Sequence, residues 1–202
     1  IYFVGGAVYS GIGITIVLTA ILRNVYHLEE FITPTHFRKL GFILTAFAGV
    51  MLFFNLSEYV THAYKLKGDM TFHVEHIFMG HMAPLFWTYL WAGVFVPGVM
   101  MLSPLGRHVR WVVLAGVLAN IGMMIERLVI VVGGLEVPLH PNESASYFPT
   151  WVEWSVMAAG FAGFALMIVL ALKIVPSMSI VEMIEANHAE PPDGVPHGGV
   201  PA

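Results

Sequence analysis

Residues 120–134, NIGMMIERLVIVVGG, place an adjacent acid and base, Glu126 and Arg127, near the end of an apolar run long enough to cross a membrane. Nothing else in the chain constrains the fold as much. A hydrocarbon layer of about 30 Å takes roughly 20 helical residues to cross. Within it every backbone N–H and C=O needs a partner inside the protein, which leaves helices or a closed barrel. A charge there costs roughly 2.5–3.5 kcal/mol even on lenient insertion scales. Two neighbouring charges in such a run therefore imply partners on adjacent helices, or a chemical use.

The rest of the chain repeats the apolar theme. Of its 202 residues 57% are hydrophobic and 11% charged, against roughly 25% charged in a soluble domain. Stretches of span length lie at about 1–22, 37–62, 73–102, 108–133 and 150–175. The implied fold class is all-α, a polytopic membrane protein with five transmembrane helices. Residues 1–176 are expected to form the transmembrane bundle. Residues 177–202 are expected to form a cytoplasmic tail, amphipathic in SIVEMIEAN and then Pro/Gly-rich and disordered. Residue 1 opens directly into a span with no charged segment before it, so it does not read as a signal peptide. The expectation is the C-terminal half of a longer protein. With 9 Lys+Arg against 13 Asp+Glu the chain has no basic surface for nucleic acid, and its first partner is the lipid bilayer. With no cysteine it offers no disulfide, iron–sulfur ligation or thiol chemistry of its own.

Basic residues set the orientation. Arg23, Arg38, Lys39, Arg107, Arg110 and Lys173 gather at one side, whereas Lys65 and Lys67 are the loop cations of the other. The excess of positive charge on cytoplasmic loops then assigns the first and third connections and the C-terminus to the cytoplasm. Glu58, His62, His73, His76, Glu126, Arg127 and Glu153 fall toward the outer face. Asn55, Glu58 and His62, at i, i+3 and i+7, are expected to share a helix face, as are Asn120 and Arg127. Glu126 points about 100° away from that second face. Gly5, Gly6, Gly11 and Gly13 in the first span allow close approach of a helix or a flat ligand. Pro84 and Pro97 in the third span withhold an N–H, so a backbone carbonyl there needs another partner.

Four readings of the polar groups compete. Glu126 and Arg127 could pair with neighbours and hold the bundle together. A proton path could run through Glu58, His62, His73, His76, His81, Glu126, Arg127 and Glu153, since acids and histidines in spans are common relays. A b-type haem could sit on His62, His76 or His81, although most of these histidines lie at helix ends beside acids. Helices interrupted by Pro and Gly could line a transport path.

At the fourth and fifth spans the residues become specific. Asn120-Ile-Gly-Met-Met-Ile-Glu126-Arg127-Leu, then Tyr147-Phe-Pro149-Thr150-Trp151-Val-Glu153-Trp154, resembles the polysulfide-reductase-type, or NrfD-like, membrane subunits. The lysine–proline end of the fifth span followed by Ser-Ile-Val-Glu182 fits the same pattern. Upstream, Tyr2-Phe3-Val-Gly-Gly-Ala-Val-Tyr-Ser10-Gly11 and His27-Leu-Glu-Glu-Phe-Ile-Thr33 look like the ActC-type subunit of alternative complex III.

The resemblance implies part of a double four-helix-bundle subunit that binds a quinone, such as menaquinone, and no haem or iron–sulfur cluster of its own. The quinone is held mainly by helices upstream of this chain, with Tyr2 and Phe3 as contacts because the first span would be the last helix of that group. The implied partners are iron–sulfur and cytochrome c subunits and further membrane subunits, in a bacterial respiratory or photosynthetic membrane. The implied function is quinol oxidation in the cytoplasmic membrane, with a proton path through the second bundle. The alternative is a structural anchor for the peripheral redox subunits with no chemistry of its own. The lesser alternative is a haem b-binding subunit.

Overall fold

The computed structural model describes residues 2–26, 29, 32–64, 78–80, 82–135 and 149–174. Five helices in it are long and apolar enough to cross a membrane. They are α1 (Tyr2–Val25), α2 (Pro34–Tyr64), α3 (Ala83–Leu102), α4 (Val109–Leu135) and α5 (Trp151–Ile174). His73, His76, His81 and the expected tail lie outside the described residues, as does the side chain of His62.

The first four helices form one compact unit, and residues from 149 onward form another. The start of α2 and the stop of α3 have local causes. α2 begins at Pro34, where the missing N–H costs nothing and φ is already helical. The Thr33 hydroxyl bonds the His36 ring at 3.0 Å. α3 stops at Ser103, whose backbone is extended and whose hydroxyl accepts from the Leu105 N–H at 3.3 Å. A four-residue 3₁₀ turn, Pro104–Arg107, then leads into α4.

Glycines decide how the four helices meet. On α1, a Cβ at Gly6 would stand 2.7 Å from Met123 Cε and 3.3 Å from the Arg127 guanidinium, and one at Gly13 would stand 2.5 Å from Asn120 Nδ2. Positions 6 and 13 thus face 127 and 120, so α1 and α4 run antiparallel. α3 and α4 cross at Gly93 and Gly122, where a Cβ on either would come within 2.5 Å of the other's Cα. α2 closes the ring, with Gly41 against Met101 of α3 and Phe54 against Gly5 of α1. The result is an up-down-up-down bundle of the kind short connections favour. Of the two uses expected for the α1 glycines, close helix packing is the observed one at Gly5, Gly6 and Gly13. α1, read from the sequence as the last helix of an upstream group, is a full member of this unit.

α4 is the helix the others pack on. Its buried positions, Val112, Ala115, Ala119, Met123, Val129 and Val132 among them, recur at steps of three and four, as one face of a helix must. Glu126 falls on that same stripe.

The third helix is not regular. Tyr89–Phe95 is wound as a π-helix between two α-helical turns. Pro97 has no N–H to give the carbonyl four residues before it, that of Gly93. The buried Tyr9 hydroxyl of α1 donates to that carbonyl at 2.9 Å. Tyr9→Phe should therefore lower the thermal stability of the purified protein by about 1 kcal/mol. Phe fills the same space, so an unchanged unfolding midpoint would show that the bond contributes nothing.

α5 stands in the second unit with no buried residue. At its start the Glu153 carboxylate accepts from the Thr150 N–H at 2.6 Å. This is the return half of a capping box, in which the third helical residue reaches back to the cap.

Candidate functional site: a polar cluster on the α4 stripe

The Glu126 side chain is 2% exposed. It sits at the end of the unit where α1 begins and α4 ends. Among the described residues neither of its oxygens completes a hydrogen bond. The charge nearest in sequence is Arg127, whose Nε lies 3.6 Å from Oε2. That guanidinium is about a third exposed and stacks over the Phe3 ring, with Cζ 4.4 Å from the ring centroid. Consecutive residues on a helix point about 100° apart. The pair therefore divides: the acid enters the bundle and the base lies along α1.

Three further side chains complete the cluster. The Tyr2 hydroxyl faces the Glu126 carboxyl and lies 3.3 Å from the Tyr89 hydroxyl and 3.5 Å from Asn55 Oδ1. Asn55 Nδ2 donates to the Tyr89 hydroxyl and to the Met51 carbonyl, each at 2.8 Å. Asn55 and Tyr89 are buried. Tyr89 opens the π-helix, and such single-turn π segments recur at functional sites. Toward the end of α2 the cluster is walled by Tyr59, Phe78 and Phe86, whose rings stand 5.0–5.1 Å apart in pairs.

The arrangement has a definite chemical capacity. A carboxyl can hold or release one proton, and a tyrosine hydroxyl both donates and accepts. Tyr89, Tyr2 and Glu126 thus form a short run of proton-exchanging oxygens in an otherwise apolar interior. Neither carboxyl oxygen completes a hydrogen bond among the described residues, although Arg127 Nε lies 3.6 Å from one of them.

The residues singled out from sequence divide accordingly. Tyr2, Phe3, Glu126 and Arg127 are brought together. Glu58 is exposed, although it lies within electrostatic range of Glu126 and Tyr89. The shared face expected for Asn55 and Glu58 is therefore split. A step of three residues turns the helix about 60° short of a full circle, enough to carry Glu58 from the packed stripe to the exposed side. Glu153 is the capping-box acid of α5, bonded to the Thr150 N–H, and belongs to the other unit. Asn120 does share the Arg127 face, against α1, but its amide bonds the Gly116 carbonyl of its own helix at 2.8 Å.

Asn55 and Tyr89 are cluster members the sequence reading did not choose. An amide in the middle of the apolar run 51–56 was a legible signal for the first. For Tyr89 the signal is weak, because nothing local marks one aromatic of the third span as inward. Among the described residues no group of three His, Asp or Glu could hold a metal ion.

Comparison with known proteins agrees with this architecture. The chain is 25% identical over 208 aligned residues to the Hdr-like menaquinol oxidoreductase integral membrane subunit of Archaeoglobus fulgidus, covering 91% of this chain and 50% of that protein. It is 31% identical over 139 residues to the menaquinone reductase integral membrane subunit of Nitratidesulfovibrio vulgaris, covering 63% of this chain and 32% of that one. The chain thus spans half the length of the first relative and about a third of the second. The model of the family described as Polysulphide reductase, NrfD matches residues 1–138. Since that match takes in more than half of the chain and four of its five apolar helices, this multi-pass membrane protein belongs to the NrfD family.

Proposed function

We propose that the chain is part of the membrane subunit of a quinol:acceptor oxidoreductase, with menaquinol as the quinol. Its role is to complete the quinol-binding bundle and to carry protons through the α1–α4 unit. The observation that supports this most is the buried Glu126 carboxyl, which completes no hydrogen bond among the described residues and is faced by Tyr2 beside Tyr89. Oxidation of a quinol releases two protons with its two electrons, so the site needs proton acceptors. In this reading Glu126 is the acceptor, Tyr2 and Tyr89 relay, and Glu58 and His62 carry the path outward. His76 and His81, outside the described residues, are proposed as further members of the path, and Tyr2 and Phe3 as quinone contacts. The electrons leave through iron–sulfur and cytochrome c subunits, in an arrangement like alternative complex III. The membrane is the bacterial cytoplasmic membrane, with the C-terminus on the cytoplasmic side. The names of both relatives, a menaquinol oxidoreductase and a menaquinone reductase, support the quinone and leave both directions of flow represented.

The test is to purify the full-length protein with the subunits that accompany it and to supply menaquinol analogue and a soluble acceptor. Quinol-dependent acceptor reduction is the expected result. A complex that neither retains a quinone nor oxidises a quinol ends the reading, and so does a b-type haem spectrum from this subunit alone.

A second reading is supported by one contact. Arg127 lies 3.6 Å from Glu126 and stacks on Phe3, as a pair that merely fastens α4 to α1 would. The chain would then be an anchor for peripheral redox subunits.

A further inference from the structure

At the end of the α1–α4 unit opposite Glu126, a cavity of about 440 Å³ opens between the start of α2 and the turn from α3 to α4. Arg38 and Arg107 line it together with the Ser103 hydroxyl, and Phe42, Met101 and Leu102 supply its apolar side. We propose that it binds the headgroup of an anionic phospholipid, with the phosphate between the two guanidinium groups.

Four observations carry this. First, the cavity is cationic and unbalanced. Both arginines are exposed, and among the described residues no carboxylate lines the cavity and neither arginine forms an ion pair. At the same end the buried Arg23 Nε also lacks a hydrogen-bond partner among those residues. Glu29, the described carboxylate of the α1–α2 connection, is not in the lining. Second, the walls are closely packed. A Cβ at Gly41 would stand 2.7 Å from Met101 Sδ, and one at Gly106 would stand 2.7 Å from the Met101 carbonyl. Ser103 is held by its bond to the Met100 carbonyl at 2.8 Å.

Third, the site is amphipathic in the sense a lipid requires. Phe42 and Leu102 are each 71% exposed, so apolar surface adjoins the charges. A free phosphate would use the arginines and leave those side chains unmatched. Fourth, the size fits. Cavities of roughly 300–1,000 Å³ hold drug-sized ligands, and 440 Å³ takes a phosphoglycerol group and its first acyl carbons. Guanidinium forks suit phosphate because each donates two parallel N–H groups to one oxyanion. Basic recesses between helices on the cytoplasmic side bind such headgroups for the same reason. The inference is independent of the quinol reading.

The experiment uses the full-length protein in its complex, delipidated in mild detergent and titrated with phosphatidylglycerol or phosphatidylcholine under native mass spectrometry. Phosphatidylglycerol should bind at one retained site and phosphatidylcholine should not. Each cation near a phosphate surface is worth roughly fivefold in affinity, so Arg38→Gln with Arg107→Gln should weaken phosphatidylglycerol by about 25-fold. Arg110→Gln, at the same end but outside the lining, should leave it unchanged. Should the glutamine pair fail to assemble, Arg38→Lys with Arg107→Lys keeps the charges and loses the forks: phosphatidylglycerol should then bind severalfold more weakly than to the parent, and binding equal to the parent overturns the proposal. Equal binding of the two lipids overturns the proposal. So does displacement of phosphatidylglycerol by millimolar inorganic phosphate, which would make the site one for free anions. Undiminished binding in both double variants would move the lipid elsewhere.

Discussion

Gly122→Val is expected to be among the most destabilising single substitutions in the α1–α4 unit. A Cβ at Gly122 would stand 2.2 Å from the Gly93 Cα, and that obstacle is backbone, which no rotamer change can remove. Overpacking a tight core by one or two carbons typically costs about 1–3 kcal/mol, and more where backbone must move. Here the branched side chain should cost about 3 kcal/mol or more, with Gly122→Ala somewhat below it. The matched control is Gly49→Ala on α2, where a Cβ meets nothing within 4 Å. That substitution should stay within about 0.5 kcal/mol of the parent, as isolated surface changes do. Thermal unfolding of the purified full-length protein reads all three. If Gly122→Ala and Gly49→Ala unfold at the same temperature, α3 and α4 do not cross where described.

The crossing also matters for the cluster. Gly93 lies inside the π-helix that begins at Tyr89, and its carbonyl is the one Tyr9 bonds. The point of closest approach and the wide helical turn therefore occur together. Moving α3 off α4 would carry Tyr89 away from Asn55 and Tyr2. Under the proposed function, a Gly93 or Gly122 variant that still folds should lose quinol-linked activity along with stability.

The second large effect is at Glu126. With Glu126→Gln the side chain keeps its shape and loses its proton-accepting capacity. If the proton leaves the quinol through this carboxyl, quinol oxidation by the complex should fall by about 10²–10⁴-fold, the usual contribution of a positioned acid or base. The apparent affinity for quinol should change little, because the substitution is nearly isosteric. Stability should hold or rise, since a neutral amide is cheaper to bury than a carboxylate. The fastening-pair reading expects the reverse: unchanged turnover and a lower unfolding temperature. Arg127→Met separates the two further. A fastening pair broken from that side leaves a buried acid uncompensated, at a typical cost of about 3–5 kcal/mol. A proton acceptor would instead show a displaced pH profile with the fold intact. Turnover of Glu126→Gln within twofold of the parent would end the proton role.

Much of this was readable in the chain, for reasons that can be stated residue by residue. The bilayer leaves so few ways to satisfy a backbone that apolar length alone fixed five helices and the all-α class. The same logic marked Pro97 as a place where a carbonyl would need help, and Glu126-Arg127 as charges that needed a reason. The Asn120–Arg127 face followed from helical period, and α1 packs along it. Thr150 and Glu153 were legible as a helix start because capping is a local interaction.

What the sequence could not supply was which faces meet. Periodicity places Asn55 and Glu58 only 60° apart, and nothing local says that the boundary between buried and exposed falls between them. Whether Gly6 and Gly13 receive a helix or a ligand depends on a partner more than 100 residues away, and α4 answers it with Arg127 and Asn120. The Tyr9 bond to the Gly93 carbonyl, the Tyr89–Asn55–Tyr2 contacts and the Arg38–Arg107 recess each join residues at least 34 positions apart. Local chemistry determined the helices and their ends. The bundle register decided which of their polar groups became a site, because only packing brings distant side chains within hydrogen-bond reach.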